Sequence, residues 1–241
     1  VARLVSKYGF NAMPVVSAEG KALGVVTVDD VVDVLVARET EAALAMGAVA
    51  APSDPDDKHE FTYFGSSVLQ VVKSRAGWLL LLFVAETLTG TVLRHFEDEL
   101  AKVVALSFFI PLVIGTGGNA GSQTVSTIIR ALALREVAVS HALRVLLKES
   151  ATGLILGTVL CAFAFARVLL WGTGAPMALT VGLTMLAVCL WANVVGALVP
   201  LLASRLKIDP TVVSAPLITT IVDATGLAIY MLIAKALLLG G

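Results

Sequence analysis

Three features that could do chemistry lie inside stretches apolar enough to cross a bilayer. The first is Asp223, in "SAPLITTIVDATGLAIYMLI". An unpaired charge at the centre of a membrane helix costs about 2.5–3.5 kcal/mol or more, and no lysine or arginine lies within two turns of it on this helix. The cost must be offset by a cation from solution, a group on another helix, or a proton. Helical spacing sets Ala215, Thr219, Thr220, Asp223 and Gly226 along one broad face, offering two hydroxyls and then the carboxylate. This is the donor set of a cation path. A protonated aspartate hydrogen-bonded to a neighbouring helix is the structural alternative.

The second feature is "IPLVIGTGGNAGSQTVSTIIR", Ile110 to Arg130. Lipid offers backbone groups no hydrogen bonds, so a loosened helix at membrane depth is tolerated only where protein covers it or where it lines a wet cavity. Pro111 removes a donor, and Gly115, Gly117, Gly118 and Gly121 lower the cost of unwinding, which predicts an interrupted span. Asn119, Ser122, Gln123, Thr124 and Ser126 add neutral dipoles suited to a pore wall. Gly117 and Gly121 also fit a small-xxx-small packing seam, and the two roles are compatible. The third feature is Glu86, in "LLLLFVAETLTGTVL", which either faces the pore or is a protonated acid bonded between helices. Asn193 with Gly196 reads as close helix packing. His59, His95 and His141 read as solvated, and Glu97, Asp98 and Glu99 would gather cations at an outer mouth.

These residues need a membrane scaffold, and composition supplies one. The 241 residues are 58% hydrophobic and only 15% charged, with mean hydropathy +0.92, against about 25% charged in ordinary globular chains. The expectation is an all-α membrane protein with five transmembrane helices, at Ala76–Leu93, Lys102–Leu132, Leu143–Leu170, Ala178–Ser204 and Thr211–Leu239. Lys73 and Arg75, then Arg130, Arg135, Arg144 and Lys148, then Arg205 and Lys207 fall on one side if the spans alternate. That side is read as cytoplasmic, giving a cytoplasmic N-terminus, an external C-terminus and multi-pass insertion in the cell (inner) membrane. Arg94, Arg167 and Lys235 remain on the other side as snorkelling anchors. Cys161 and Cys189 lie in apolar runs without metal-ligand or disulfide spacing.

Before the spans, residues 1–28 read as the C-terminal part of a soluble α/β domain whose earlier part precedes Val1. A helix end in "VARLVSKYGF" leads to two short strands in "AMPVVS" and "ALGVVTV", joined at "AEGK". Residues 29–50 read as a connecting helix with acids in its first turn, 51–75 as a linker with an amphipathic lead-in, and 76–241 as the membrane domain. Nine acids between Asp29 and Glu60 face only Arg38 and Lys58. They form either a solvated surface or a sensor whose carboxylates are held together by divalent cations.

"FFIPLVIGTGGNAGSQTVSTIIRALAL" followed by "IDPTVVSAPLITTIVDATGLAIY" closely resembles the MgtE family of magnesium channels. "VSKYGFNAMPVVSAEGKALGVVTVDDVVDVL" looks like the end of a CBS domain running into that family's plug helix. The resemblance implies a homodimer with its pore between the second and fifth spans of both subunits, and Mg²⁺ held at Asp223. Ala215 and Thr219 match pore-lining positions, and Gly117, Gly118 and Asn119 match a broken-helix motif. Asp30, Asp33 and Glu41 match acids that bind intracellular Mg²⁺ and lock the gate, although Arg38 and Ala42 stand where further acids are expected. A nucleotide is a candidate ligand of the preceding CBS region.

The chemistry agrees with this resemblance. Mg²⁺ dehydrates reluctantly and is commonly held through one or two carboxylates while keeping several waters. The expected function is therefore a Mg²⁺-selective channel for influx. A proton-coupled divalent-cation carrier using Asp223 and Glu86, and a membrane-anchored CBS-type sensor, are the alternatives. No nucleophile and base pair, metal-ligand cluster or phosphate loop marks an enzyme, and nothing marks a nucleic-acid partner.

Overall fold

The computed structural model describes residues 4–5, 8–49, 64–208 and 213–240. Most of the predicted linker, including Asp54, Asp56, Asp57, His59 and Glu60, and the expected start of the last span at Thr211, lie outside the described residues, as do the side chains of Arg38 and Glu41. The chain divides into two compact units, Val1–Ala45 and Met46–Gly241.

In the first unit, strands β1 (Ala12–Val16) and β2 (Ala22–Thr27) pair antiparallel, with Met13 opposite Val26. Their β-branched residues favour the pleated conformation. The connection turns at Gly20, whose φ of 79° suits a residue without a Cβ. Helix α1 (Val28–Met46) follows directly. Its start is a capping arrangement in which the Asp30 carboxylate, two residues into the helix, accepts the Thr27 backbone N–H at 2.8 Å.

The second unit contains five helices long and apolar enough to cross a membrane. They are α2 (Val68–His95), then α4 (Ile110–Ala133) with the 3-10 turn Val104–Phe109 before it, then α5 (Ala142–Leu170), α6 (Ala175–Arg205) and α7 (Ala215–Leu238). The short helix α3 (Glu97–Lys102) joins the first two spans. Helix α6 is central, packing on α4, α5 and α7, while α2 rests mainly on α7. Lipid removes most of the hydrophobic drive between spans, so contact is made by close van der Waals fit. One cluster joins Leu106, Phe109, Val113, Met185, Val188 and Tyr230, and another joins Val125, Ala192, Ile218 and Val222. Leu81, Val84 and Leu88 on α2, and Ile155 and Phe163 on α5, face outward as lipid-facing side chains should.

The predicted interruption of the second span is not found at the glycines. Helix α4 runs unbroken through Gly115, Gly117, Gly118 and Gly121, because at membrane depth each unwound residue would strand backbone donors and acceptors. Pro111 lies in the first turn, where a missing N–H costs nothing. The irregularity falls earlier, in the 3-10 turn over Val104–Phe109.

Candidate functional site

The site is built where α7 is flanked by α4 on one side and α2 on the other. The α4 flank is tight because glycines face it. A Cβ on Gly117 would stand 2.9 Å from Val222 Cγ1, and one on Gly121 2.9 Å from Ile218 Cγ2. At Gly118 it would meet Thr219 Cγ2 at 2.8 Å and Asp223 Oδ1 at 3.2 Å. The missing side chain is what lets the Asp223 carboxylate lie against the α4 backbone. Asp223 Oδ1 is buried and has no hydrogen-bond partner among the described residues. A buried polar oxygen without a donor is costly unless a cation, water or proton serves it.

One turn before Asp223, Thr219 Oγ1 donates to the Ala215 carbonyl at 3.0 Å and lies 3.0 Å from Ser122 Oγ of α4. Thr220 is nearly buried and donates to the Pro216 carbonyl at 3.1 Å. Their hydroxyl hydrogens are therefore used locally, and the oxygens are what they can offer outward. On α4, Gly115, Asn119, Gln123 and Thr127 recur every four residues and are all exposed, so they form a stripe along one face. Its other face is the buried glycine seam. Asn119 thus joins the exposed stripe, whereas Gly117 and Gly118 are buried behind it.

Glu86 is exposed on α2 and shares a groove of about 690 Å³ with Thr220 of α7. Thr220 stands three residues before Asp223 on α7, so the groove reaches that helix one turn from the acid. Asn193 and Gly196, read as a packing pair, meet α4 closely: Asn193 Oδ1 accepts from Thr124 Oγ1 at 2.9 Å, and a Cβ on Gly196 would stand 2.8 Å from the Gly121 carbonyl. Thr124 is therefore a helix tie, not a wall dipole.

The C-terminal end of α7 is fastened. Tyr230 donates from its hydroxyl to the Leu106 carbonyl at 3.0 Å, and Lys235 pairs with Glu99 at 2.9 Å. Expected as a snorkelling anchor, Lys235 instead joins α7 to α3. The Lys235 ammonium beside Glu99 holds that carboxyl below its ordinary range. Arg167 stacks over the Trp171 ring at 4.6 Å. Sequence reading passed over Tyr230, because a tyrosine in an apolar span gives no spacing signal for a carbonyl more than 100 residues away.

In the first unit, Asp30 and Asp33 are exposed. The Asp30 carboxyl is held below its ordinary range by the Thr27 hydroxyl and backbone N–H. Among the described residues no three His, Cys, Asp or Glu side chains converge on a metal-sized space.

A family model described as MgtE, divalent cation transporter, matches residues 110–233, and one for the CBS domain matches residues 1–37. The chain is 41% identical over 239 residues to "Magnesium transporter MgtE" of Thermus thermophilus, covering 99% of this chain and 51% of that protein. Proteins of the same name from Bacillus subtilis and Enterococcus faecalis are 33% and 34% identical, each over 98% of this chain and 50% of the relative. The chain thus spans about half the length of the curated relatives it matches. With all but the first two residues of the two long membrane motifs inside the matched region, the chain is a multi-pass membrane protein that belongs to the MgtE family of divalent cation transporters.

Proposed function

We propose that the chain forms the conducting part of a homodimeric Mg²⁺ channel in which α4 and α7 of both subunits line the path and Asp223 holds the ion. The observation that carries this reading is the buried, unpartnered Asp223 Oδ1 packed against Gly118 of α4, a helix whose exposed face carries a polar stripe. A stripe containing Asn119 and Gln123 is poorly suited to lipid, and a second copy across a water-filled path would cover it. Similarity to proteins named as magnesium transporters supports Mg²⁺ as the ion.

Mg²⁺ would keep most of its waters, with Asp223 accepting from that shell and the Thr219 and Thr220 oxygens, with Ala215 at the helix start, extending the path. Few direct ligands let the ion leave again. Alternation of five spans places Lys73 and Arg75, Arg130 to Lys148, and Arg205 and Lys207 on one face, which supports a cytoplasmic N-terminus, an external C-terminus and inward flow. Asp30, Asp33 and Glu41 are proposed to bind cytosolic Mg²⁺ and close the gate, as expected of the connecting helix.

Reconstitution into proteoliposomes loaded with a Mg²⁺-sensitive dye tests this reading. Asp223→Asn should leave the protein folded and dimeric yet abolish most Mg²⁺ entry; entry at the parent rate would place the ion elsewhere. The groove that Glu86 shares with Thr220, one turn of α7 from Asp223, favours one second reading, a proton-coupled divalent-cation carrier. Mg²⁺ uptake driven by a proton gradient alone would support that reading, and current that follows voltage without proton flux would exclude it.

A further inference from the structure

We propose that Glu86 is a second selectivity-determining residue: its charge, held in the groove between α2 and α7, adds to that of Asp223 and favours a divalent over a monovalent ion. This inference rests on the reading of Asp223 as the ion site and extends it to a helix that the pore-lining assignment leaves out.

The geometry begins with the groove. Leu79, Leu80, Leu82 and Phe83 of α2 supply apolar walls, and the polar groups in it are Glu86 and Thr220. Thr220 precedes Asp223 by three residues and so lies on the same side of α7. The groove therefore reaches α7 one turn before Asp223. Glu86 is exposed, and the ion pair formed among the described residues, Lys235 with Glu99, does not involve it. An acid left uncompensated at membrane depth is not explained by structure alone. The rise over the three residues from Thr220 to Asp223 is about 4.5 Å, so the two acids share one neighbourhood of α7.

The consequence for selectivity follows from Coulomb's law. An ion at Asp223 feels the Glu86 carboxylate in proportion to its own charge, so a divalent ion gains twice what a monovalent one gains at the same place. Glu86 need not touch the ion. Low-dielectric walls strengthen the effect by keeping the field from being screened.

The test uses the full protein in planar bilayers, reading the Mg²⁺ to K⁺ permeability ratio from reversal potentials. Glu86→Gln keeps the size and hydrogen-bonding capacity of the side chain but removes its charge, and should lower the ratio roughly fivefold. Glu86→Asp should retain it, and Phe83→Glu added to Glu86→Gln should restore much of it by returning a carboxylate to the same groove. Should Glu86→Gln fail to fold, Phe83→Lys in the parent protein carries the test by neutralising Glu86 from one turn away, with the same fall expected. Unchanged ratios in Glu86→Gln and Phe83→Lys, with a lowered ratio in Asp223→Asn, would overturn the role of Glu86 while leaving the ion site intact. An unchanged ratio in Asp223→Asn as well would overturn the ion-site reading itself.

Discussion

Two glycine seams in this membrane domain use the same device for different ends. Between α5 and α6, Gly153 and Gly157 lie against backbone: a Cβ on Gly157 would stand 2.8 Å from the Leu186 carbonyl oxygen, and one on Gly153 2.9 Å from Leu190 Cα. Between α4 and α7, Gly117, Gly118 and Gly121 lie against the side chains of Val222, Thr219 and Ile218, and one of them touches Asp223. The first seam joins two helices through close backbone contact. The second brings the Asp223 carboxylate and the Thr219 side chain against α4, a helix whose exposed face carries the polar stripe. Glycine in a span therefore reports only close approach, and what sets the second seam apart is the unpartnered acid beside it.

Substitution should separate the seams most sharply. Gly157→Val drives a branched side chain into backbone that cannot rotate away, and overpacking of this kind costs about 1–3 kcal/mol or more; loss of a monodisperse peak in detergent chromatography is expected. Gly118→Ala meets a threonine methyl and a carboxylate, which can shift, so its melting temperature should stay near the parent's while Mg²⁺ flux per folded protein falls. Equal destabilisation by Gly157→Ala and Gly118→Ala, with flux unchanged in the second, would erase the distinction.

The next effect concerns the tie between the seams. Thr124→Val leaves the buried Asn193 oxygen without its donor and should cost about 1–3 kcal/mol in thermal unfolding. Tyr230→Phe removes one hydrogen bond at the far end of α7 and should cost about 0.5–1.5 kcal/mol. The smallest effect is a pH dependence. The Glu99 carboxyl is depressed by Lys235 from its ordinary 4.5, so its contribution is present above that value and fades as pH falls through the depressed titration. Acid melting curves of Glu99→Gln should lose this slope.

Much of the scaffold was legible in the sequence, because apolar length and turn chemistry act locally. The paired strands, the acidic helix and the five spans follow from runs visible within 30 residues. Asp223 stood out for the same reason, as a charge where hydrocarbon should be. The continuous α4 was not legible: its glycines read equally as loosened backbone or close contact, and only the facing Val222, Thr219 and Ile218 decide between them. Tyr230 with Leu106, and Lys235 with Glu99, join residues more than 100 positions apart, a distance no periodicity spans.

Those last two bonds also constrain how α7 can travel. A rod fastened near one tip by Tyr230 and Lys235 swings about that tip, so any tilt that spares both bonds sweeps its widest arc at Ala215 and a smaller one at Asp223. Counted from Tyr230, Asp223 lies 7 residues along the rod and Ala215 lies 15, so the acid would travel about half as far as the opposite end.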